Sequence, residues 1–514
     1  MANGDAEQKR HEKITHDLAR TVIKEPLYSR VKLADPEKPD PNAPPRYDKP
    51  VDVVIEGNDE YYLGKVQAFN DLEKLVNDVA SGTEEFVSRI GSDQNPYFKA
   101  RLGPDTILEL VKRDEDEASA KLEATEKSPS KRGLVRYLTV RRIWLDFQIS
   151  GLIDVSVSTV KADAARRSYL AEGKGVVWAV IDSGIDGDHR HFKTLDTLTL
   201  ELPLRHRDFT MPPNAEAPLV DGFGHGTHVA GIIAGSCTGD PDDPDKRLVA
   251  RRTKLGQMDR VETFEDHPTQ IAGMAPSCKL VSMKVLGNDG KGGISNVLAA
   301  LDQIQEMNDY GRNLKIHGVN LSVGYEFDPS WFACGQTPVC VEVNRLVRSG
   351  VVVVIAAGNT GYGALAAKER PTGAGMTVTI NDPGNADLAI TVGSTHRDEP
   401  HTYGVSYFSS KGPTGDGRMK PDLVAPGERI LSCCSGASRA ALNQTNVYFE
   451  LSGTSMAAPH VSGVIAAFLS IRREYKGNPD KIKDLFLSTA TDLGRHSYFQ
   501  GRGLIDLMRA IQAV

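Results

Sequence analysis

Val351-Val352-Val353-Val354-Ile355-Ala356-Ala357 is apolar throughout, mostly β-branched, and ends against Gly358-Asn359-Thr360-Gly361. An apolar run of this length bounded by turn residues reads as a strand. No polar residue alternates with the apolar ones, so both faces must be buried, as in a parallel sheet covered by helices. The same pattern recurs outward in both directions, at Val176–Ile181, Leu280–Val285, Gly318–Val323 and Leu388–Val392. Segments with helical character alternate with these runs, and a strongly apolar helix, Val461–Leu469, follows the last of them. The expected fold is α/β with a mainly parallel sheet, in which ligands bind at the carboxyl ends of the strands.

The chain has 514 residues, with Lys+Arg 61 against Asp+Glu 68 and a net charge of −7. This balance supplies no basic footprint for nucleic acid or an anionic membrane, so neither is expected as a partner. Of 48 glycines, 8 fall in residues 1–170 and 40 in the rest, whereas residues 1–170 carry 30 acidic and 27 basic side chains. Two different kinds of chain are joined near residue 170.

Met1–Arg30 is charged every few residues and contains no apolar run of signal-peptide length, and no uncharged apolar segment reaches the length of a membrane span. A cytoplasmic protein is expected. Six cysteines in this length are no disulfide framework and read as reduced thiols. Cys334 and Cys340 are spaced to close a small loop under oxidising conditions, and no His or Cys pattern beside them suggests zinc.

Asp35–Pro50 holds six prolines in sixteen residues and is expected as an extended linker after a polar leader. Beyond it, Val51–Ile55 reads as a strand, and Leu72, Leu75, Val76 and Val79 repeat at helical spacing. A second helix is expected from Thr83 to Gly91, on the cap-like Thr-Glu-Glu, and a third from Asp105 through Lys112. The charged stretch Arg113–Arg132 reads as an exposed helix end and loop, and Leu134–Ile149 as strand-like. The resulting organisation is a leader and linker over 1–50, a small α+β domain over 51–160, and the α/β domain over 161–514.

Four residues carry the chemical interest. Asp182 ends the run Val-Val-Trp-Ala-Val-Ile-Asp at its carboxyl edge, a place that also suits a turn or cap. His225 lies in Gly222-Phe223-Gly224-His225-Gly226-Thr227-His228, a glycine-flanked helix entry continuing through Ile233. His228 three residues on suggests a metal only if a third ligand exists, and none has matching spacing. Ser455, in Ser452-Gly453-Thr454-Ser455-Met456-Ala457-Ala458-Pro459-His460, opens a helix, either as part of a capped start or as a nucleophile where backbone N–H groups favour negative charge. Asn359 follows a buried strand, where Gly-Asn suits a turn. Together they supply what acyl transfer to serine needs: a nucleophile, a base, a group that orients the base, and an oxyanion donor.

In this order, Asp182-Ser-Gly-Ile-Asp, His225-Gly-Thr-His-Val-Ala-Gly, Ala-Ala-Gly-Asn359 and Gly-Thr-Ser455-Met-Ala-Ala-Pro-His-Val-Ser-Gly resemble the subtilisin-like serine peptidases, over about Val160–Val514. The resemblance implies a three-layer α/β/α domain and a serine endopeptidase acting on proteins or peptides. Ser455 would be the nucleophile, His225 the general base and acid, Asp182 its orienting carboxylate, and Asn359 an oxyanion donor. It further implies substrate contacts at Gly290, Gly292, Ile294, Ser322, Val323, Gly324, Ala357, Gly358 and Asn381, with extended peptide held between two backbone segments. Asn381, with Asp382 beside it, would form the floor of the first specificity pocket, where a carboxylate favours Arg or Lys. Pro383 resembles a family proline that is often cis. A catalytically degenerate, peptide-binding scaffold is the alternative; such a protein normally lacks a triad or oxyanion residue, and all four are present.

The chain departs from the family pattern at His191, which replaces a carboxylate that often ligates calcium, and in an insertion from Ser236 to Gln270. The acidic run 240–245 within it suits either a hard cation or a solvated proline-rich loop, the second reading being preferred. No metal ligand and no cofactor are therefore assigned. The unit from Val51 to about Val160 matches the place of an α/β propeptide, which would make the chain a zymogen with its own N-terminal domain as intramolecular inhibitor; a retained regulatory domain is the competing reading.

Overall fold

The computed structural model describes the chain except residues 1–17, 25–26, 33–45, 81–84, 91–94, 126–130, 147, 152–155, 211–217, 241–242, 244–245, 256–260, 326–332, 366–371 and 437–446. Most of the proline-rich linker and most of the acidic run 240–245 lie outside the described residues. Two compact units part between Phe147 and Gln148, rather than near residue 160.

In the first unit, β1 (Val51–Gly57) pairs antiparallel with β3 (Tyr97–Leu102) and β4 (Val140–Leu145), and β2 (Phe86–Arg89) adds to β3, giving the order β2-β3-β1-β4. Helix α1 (Lys65–Val79) buries Leu72, Leu75, Val76 and Val79, the positions that repeat in the sequence. Three expectations are corrected. The segment after Thr83 is strand β2, because pairing with β3 outweighs its cap-like start. The third helix, α2, runs from Pro104 to Thr125 and does not end at Lys112. Its charges Asp114 and Glu115 are buried, and Asp114 accepts bonds from Thr139 N and Oγ1 and from Val140 N. Ala19, Val22, Ile23, Leu27, Tyr28 and Val31, assigned to the leader, join the core of this unit.

The second unit is built on seven parallel strands: β6 (Val177–Asp182), β7 (Arg207–Asp208), β12 (Lys279–Lys284), β14 (Gly318–Leu321), β16 (Val352–Ala356), β19 (Ile390–Thr395) and β20 (Leu423–Pro426). Their order is β20-β19-β16-β14-β6-β12-β7, and every neighbouring pair is parallel. All five apolar runs found in the sequence lie in this sheet. Helices α3 (His225–Ile233) and α6 (Thr454–Ile471) pack together over it, and α4 (Ile294–Met307) and α5 (Pro338–Arg348) form the other helical layer. Helix α6 is long and apolar enough to cross a membrane, but 89% of it is buried in this core, where Val461, Val464, Ile465 and Phe468 are inaccessible.

The insertion after Ser236 contains strands among its described residues. It forms β8 (Ser236–Thr238) paired with β11 (Gln270–Ala272), and β9 (Val249–Leu255) paired with β10 (Val261–Asp266). Strand β9 also pairs with β22 (Val447–Leu451), which pairs with β21 (Ile430–Cys433), so the insertion extends a sheet that local composition does not reveal. A hairpin of β17 (Tyr362–Leu365) and β18 (Thr372–Gly375) follows Asn359. Finally, β5 (Gln148–Gly151) lies antiparallel between β13 (Gly292–Gly293) and β15 (Val323–Gly324).

Candidate active site

Asp182 is the last residue of β6, and its side chain is fully buried. Its Oδ1 accepts the Nδ1–H of His225 at 2.6 Å and the backbone N–H of Ser183 at 2.8 Å. His225 is the first residue of α3 and is 1% exposed. The two elements approach this closely because residue 226 is glycine: a Cβ there would stand 2.2 Å from the Gly184 carbonyl oxygen and 3.0 Å from Asp182 Cβ. With Nδ1 committed as a donor, Nε2 of His225 is left as the acceptor able to take a proton.

Sequence reasoning missed the group that holds this helix start. Asp221 is buried; its Oδ1 accepts from Ser183 Oγ and Gly224 N, and its Oδ2 from Thr227 N and Oγ1. One carboxylate thus ties the end of β6 to the first turn of α3. Burial pushes its carboxyl up, while these four bonds favour the charged form. A carboxylate in the turn leading to His225 was the available signal, since the first-turn N–H groups of a helix need acceptors from outside it.

Ser455 is the second residue of α6, in the first turn, where helix geometry offers its N–H no backbone acceptor. Its hydroxyl donates to the Ser322 carbonyl oxygen at 3.0 Å. Asn359 follows β16; its Oδ1 accepts from Thr454 N and Oγ1, both at 2.9 Å. That fixes the amide so that Nδ2 faces away from Thr454, with no partner among the described residues. Gly358 before it has φ +106, where an L side chain is strained, and a Cβ there would meet the Asn381 amide at 2.6 Å. The structure therefore brings Asp182 to His225, and Ser455 to Ser322 and, through Thr454, to Asn359.

The remaining sequence-derived positions sort into two places. Gly292, Val323 and Gly324 pair through their backbones with β5, and Gly290 and Ile294 flank that edge. The register places Ile149 opposite Gly292, Ser150 opposite Gly324 and Gly151 opposite Val323, one residue from Ser322. Ala357, Gly358 and Asn381 form the other place, with Asn381 N bonded to Ala357 O and Thr360 Oγ1 donating to Asn381 Oδ1. Asp382 is not a free pocket carboxylate. It is fully buried, accepts from Thr337 Oγ1 at 2.6 Å and Asn385 Nδ2 at 2.8 Å, and is pushed up by burial. The Asp382–Pro383 peptide is cis.

Histidines away from these residues hold backbone. His189 donates through Nε2 to Val447 O, His228 through Nε2 to Phe449 O, and His191 through Nε2 to Gly231 O while its Nδ1 faces Tyr448 Oη. His191 is thus a buried structural group. Among the described residues no cluster of three His, Cys, Asp or Glu side chains is placed to hold a metal. Burial lowers His189 and His460 to about 4 and His191 to about 3, and lowers His228 and His206 as well. The unfolded chain binds protons at these groups near pH 6.5, above their folded values. The stability they contribute is therefore complete above about pH 6.5 and lost as pH falls toward about 4, by about 1.4 kcal/mol per pH unit for each proton taken up on unfolding. Glu56, Asp114, Asp221 and Asp382, pushed up by burial, oppose the trend but are fewer. Denaturant midpoints measured from pH 7 to pH 4.5 are expected to fall steadily; a flat profile would contradict the neutral, buried assignment.

Residues 173–503 match the family model described as "Subtilase family". The chain is 28% identical over 369 residues to Serine protease AprX of Bacillus subtilis (strain 168), covering 69% of this chain and 70% of the relative. It is 30% identical over 360 residues to Subtilisin E of the same organism, covering 70% and 71%. Against Subtilisin of Bacillus pumilus the identity is again 30% over 360 residues, covering 70% of this chain and 99% of the relative.

Proposed function

The chain belongs to the subtilase family and is a serine endopeptidase, and from that premise we propose that Ser455, His225, Asp182 and Asn359 carry out its chemistry. The observation that carries this reading is the fully buried 2.6 Å contact of His225 Nδ1 with Asp182 Oδ1, which leaves Nε2 as a base at the start of α3. Ser455 attacks the scissile carbonyl as His225 takes its proton, and His225 returns that proton to the leaving amine. Asp182 stabilises the imidazolium formed between the two transfers. Asn359 Nδ2 and Ser455 N–H stabilise the tetrahedral oxyanion.

Labelling with a fluorophosphonate tests the assignment. Label is expected on the N-terminally trimmed parent and absent from Ser455→Ala; a trimmed parent without serine-dependent label would overturn it. Asn359→Ala is expected to lower kcat by about 10²–10³ with little change in KM, a magnitude taken over from the corresponding asparagine of subtilisin itself. A kcat within threefold or so of the parent would remove Asn359 from the oxyanion site.

The N-terminal unit acts as an intramolecular inhibitor in this reading. Support comes from β5, the first strand of the second unit, which follows the N-terminal unit directly in sequence and occupies the backbone positions between β13 and β15 that an extended substrate would take. Backbone pairing of this kind reads an extended shape and tolerates many sequences, which suits a broad set of protein substrates. Incubation of the full-length protein is expected to give a new N-terminus shortly after Gly151, together with a rise in activity. An intact chain with full activity would sink the inhibitor reading. Asp382 being occupied by Thr337 and Asn385, a requirement for Arg or Lys at the cleaved position is not expected. The six thiols are all free and buried, in keeping with a reducing, cytoplasmic setting.

A further inference from the structure

Helix α6 contains a proline at residue 459, four residues after Ser455. In an α-helix the carbonyl of residue i accepts from the N–H of residue i+4, and proline has none. The Ser455 carbonyl is thereby deprived of its helical donor, in the residue proposed as nucleophile. A buried carbonyl left without a donor is costly, and a substitute is present: Ser322 Oγ donates to Ser455 O at 2.7 Å. The substitute is itself held. Asn320 Nδ2 donates to Ser322 Oγ at 2.8 Å, and Ser462 Oγ donates to Asn320 Oδ1 at 2.8 Å. Asn320 and Ser462 are fully inaccessible, and Ser322 and Ser455 are each 1% exposed.

The placement of these polar groups is not what packing alone selects. Asn320 sits in β14 between Val319 and Leu321, opposite Val354 and Val180, in the middle of the parallel sheet. Ser462 sits in a helix whose neighbours are Val461, Val464 and Ile465. An apolar pair would fill such sites without the desolvation cost of an amide and a hydroxyl. Ser455 and Ser462 are seven residues apart, two helical turns, so they lie on one face of α6 and grip the strand side at two points.

We propose that Ser322, Asn320 and Ser462 are positioning residues that replace the hydrogen bond removed by Pro459, and so fix the Ser455 backbone against the 322–324 edge that pairs with β5. The inference rests on the reading of Ser455 as nucleophile. The linkage matters because the 322–324 backbone sets where an extended peptide lies, and α6 sets where Ser455 lies. A displacement of about 1 Å between attacking and attacked atoms costs on the order of 10²-fold in rate.

The test uses a restored donor. Ser322→Ala in the full chain, measured after self-trimming or trimming by an added protease, is expected to lower kcat by about 10–100-fold with KM within about twofold of the parent. Adding Pro459→Ala to Ser322→Ala returns an N–H to Ser455 O, and kcat is expected to recover to within about threefold of Pro459→Ala alone. Ser462→Ala, which folds with the loss of a single hydroxyl, is expected to lower kcat by a smaller factor in the same direction. A Ser322→Ala variant with parental kcat, or a double variant showing the product of the two single losses, would overturn the proposal. Fluorophosphonate labelling keeps the premise separate: an unlabelled parent refutes the nucleophile and the positioning together, whereas a labelled parent with no rescue refutes the positioning alone.

Discussion

His225→Ala is expected to lower kcat on a peptide amide by about six orders of magnitude while the domain stays folded, a figure carried over from subtilisin, where loss of serine or histidine has this effect. Among the described residues, the histidine next along the chain offers no replacement base. His228, three residues on, is buried and bonded through Nε2 to Phe449 O, so it cannot substitute. Residual cleavage would come from Asn359 Nδ2 and Ser455 N–H, which do not depend on the imidazole. Folding should survive because Asp182 keeps the Ser183 N–H as a partner and Asp221 still holds the start of α3. The measurement compares parent and variant after trimming by the same external protease, since the variant is also expected to stay uncut after Gly151. A variant turning over at near-parental rate would refute the base assignment.

The candidate site was legible because its residues sit where local signals end. Asp182 and Asn359 close apolar strands, and His225 and Ser455 open helices, so strand and helix boundaries in the sequence marked them. The parallel sheet was legible for a related reason: a run such as Val351–Ala357 has no polar face to give to solvent. What the sequence did not show depends on partners distant along the chain. The strand Phe86–Arg89 owes its state to β3, and the carboxylate of Asp114 is accommodated in the interior because Thr139 and Val140 return to α2. The strand β9 within the insertion after Ser236 owes its place in a larger sheet to β22, a partner far along the chain. The Ser322–Asn320–Ser462 linkage was hidden for the same reason, although Pro459 inside a helix was a visible sign that one carbonyl needed another donor.

Asp182→Ala is expected to lower kcat by about 10⁴-fold, the scale set by the aspartate of subtilisin itself, and the geometry here makes Asp182→Asn the more informative change. An asparagine harms a serine–histidine pair most when its NH₂ group faces Nδ1, because the imidazole must then carry its proton on Nε2 and cannot accept from serine. In this site Oδ1 accepts two donors at once, His225 Nδ1–H at 2.6 Å and Ser183 N–H at 2.8 Å. Placing an NH₂ group there would set it against the Ser183 N–H, so the amide oxygen keeps the Oδ1 position. The NH₂ group then takes the place of Oδ2, which is buried and has no partner among the described residues. That costs on the order of 1–3 kcal/mol of stability but preserves the tautomer. Asp182→Asn should therefore lose only the charge that stabilises the imidazolium, and retain at least about tenfold more activity than Asp182→Ala. Both variants are compared through kcat/KM on one peptide amide. If the asparagine variant is as slow as the alanine variant or slower, the amide has turned and the Ser183 N–H does not govern the orientation of residue 182.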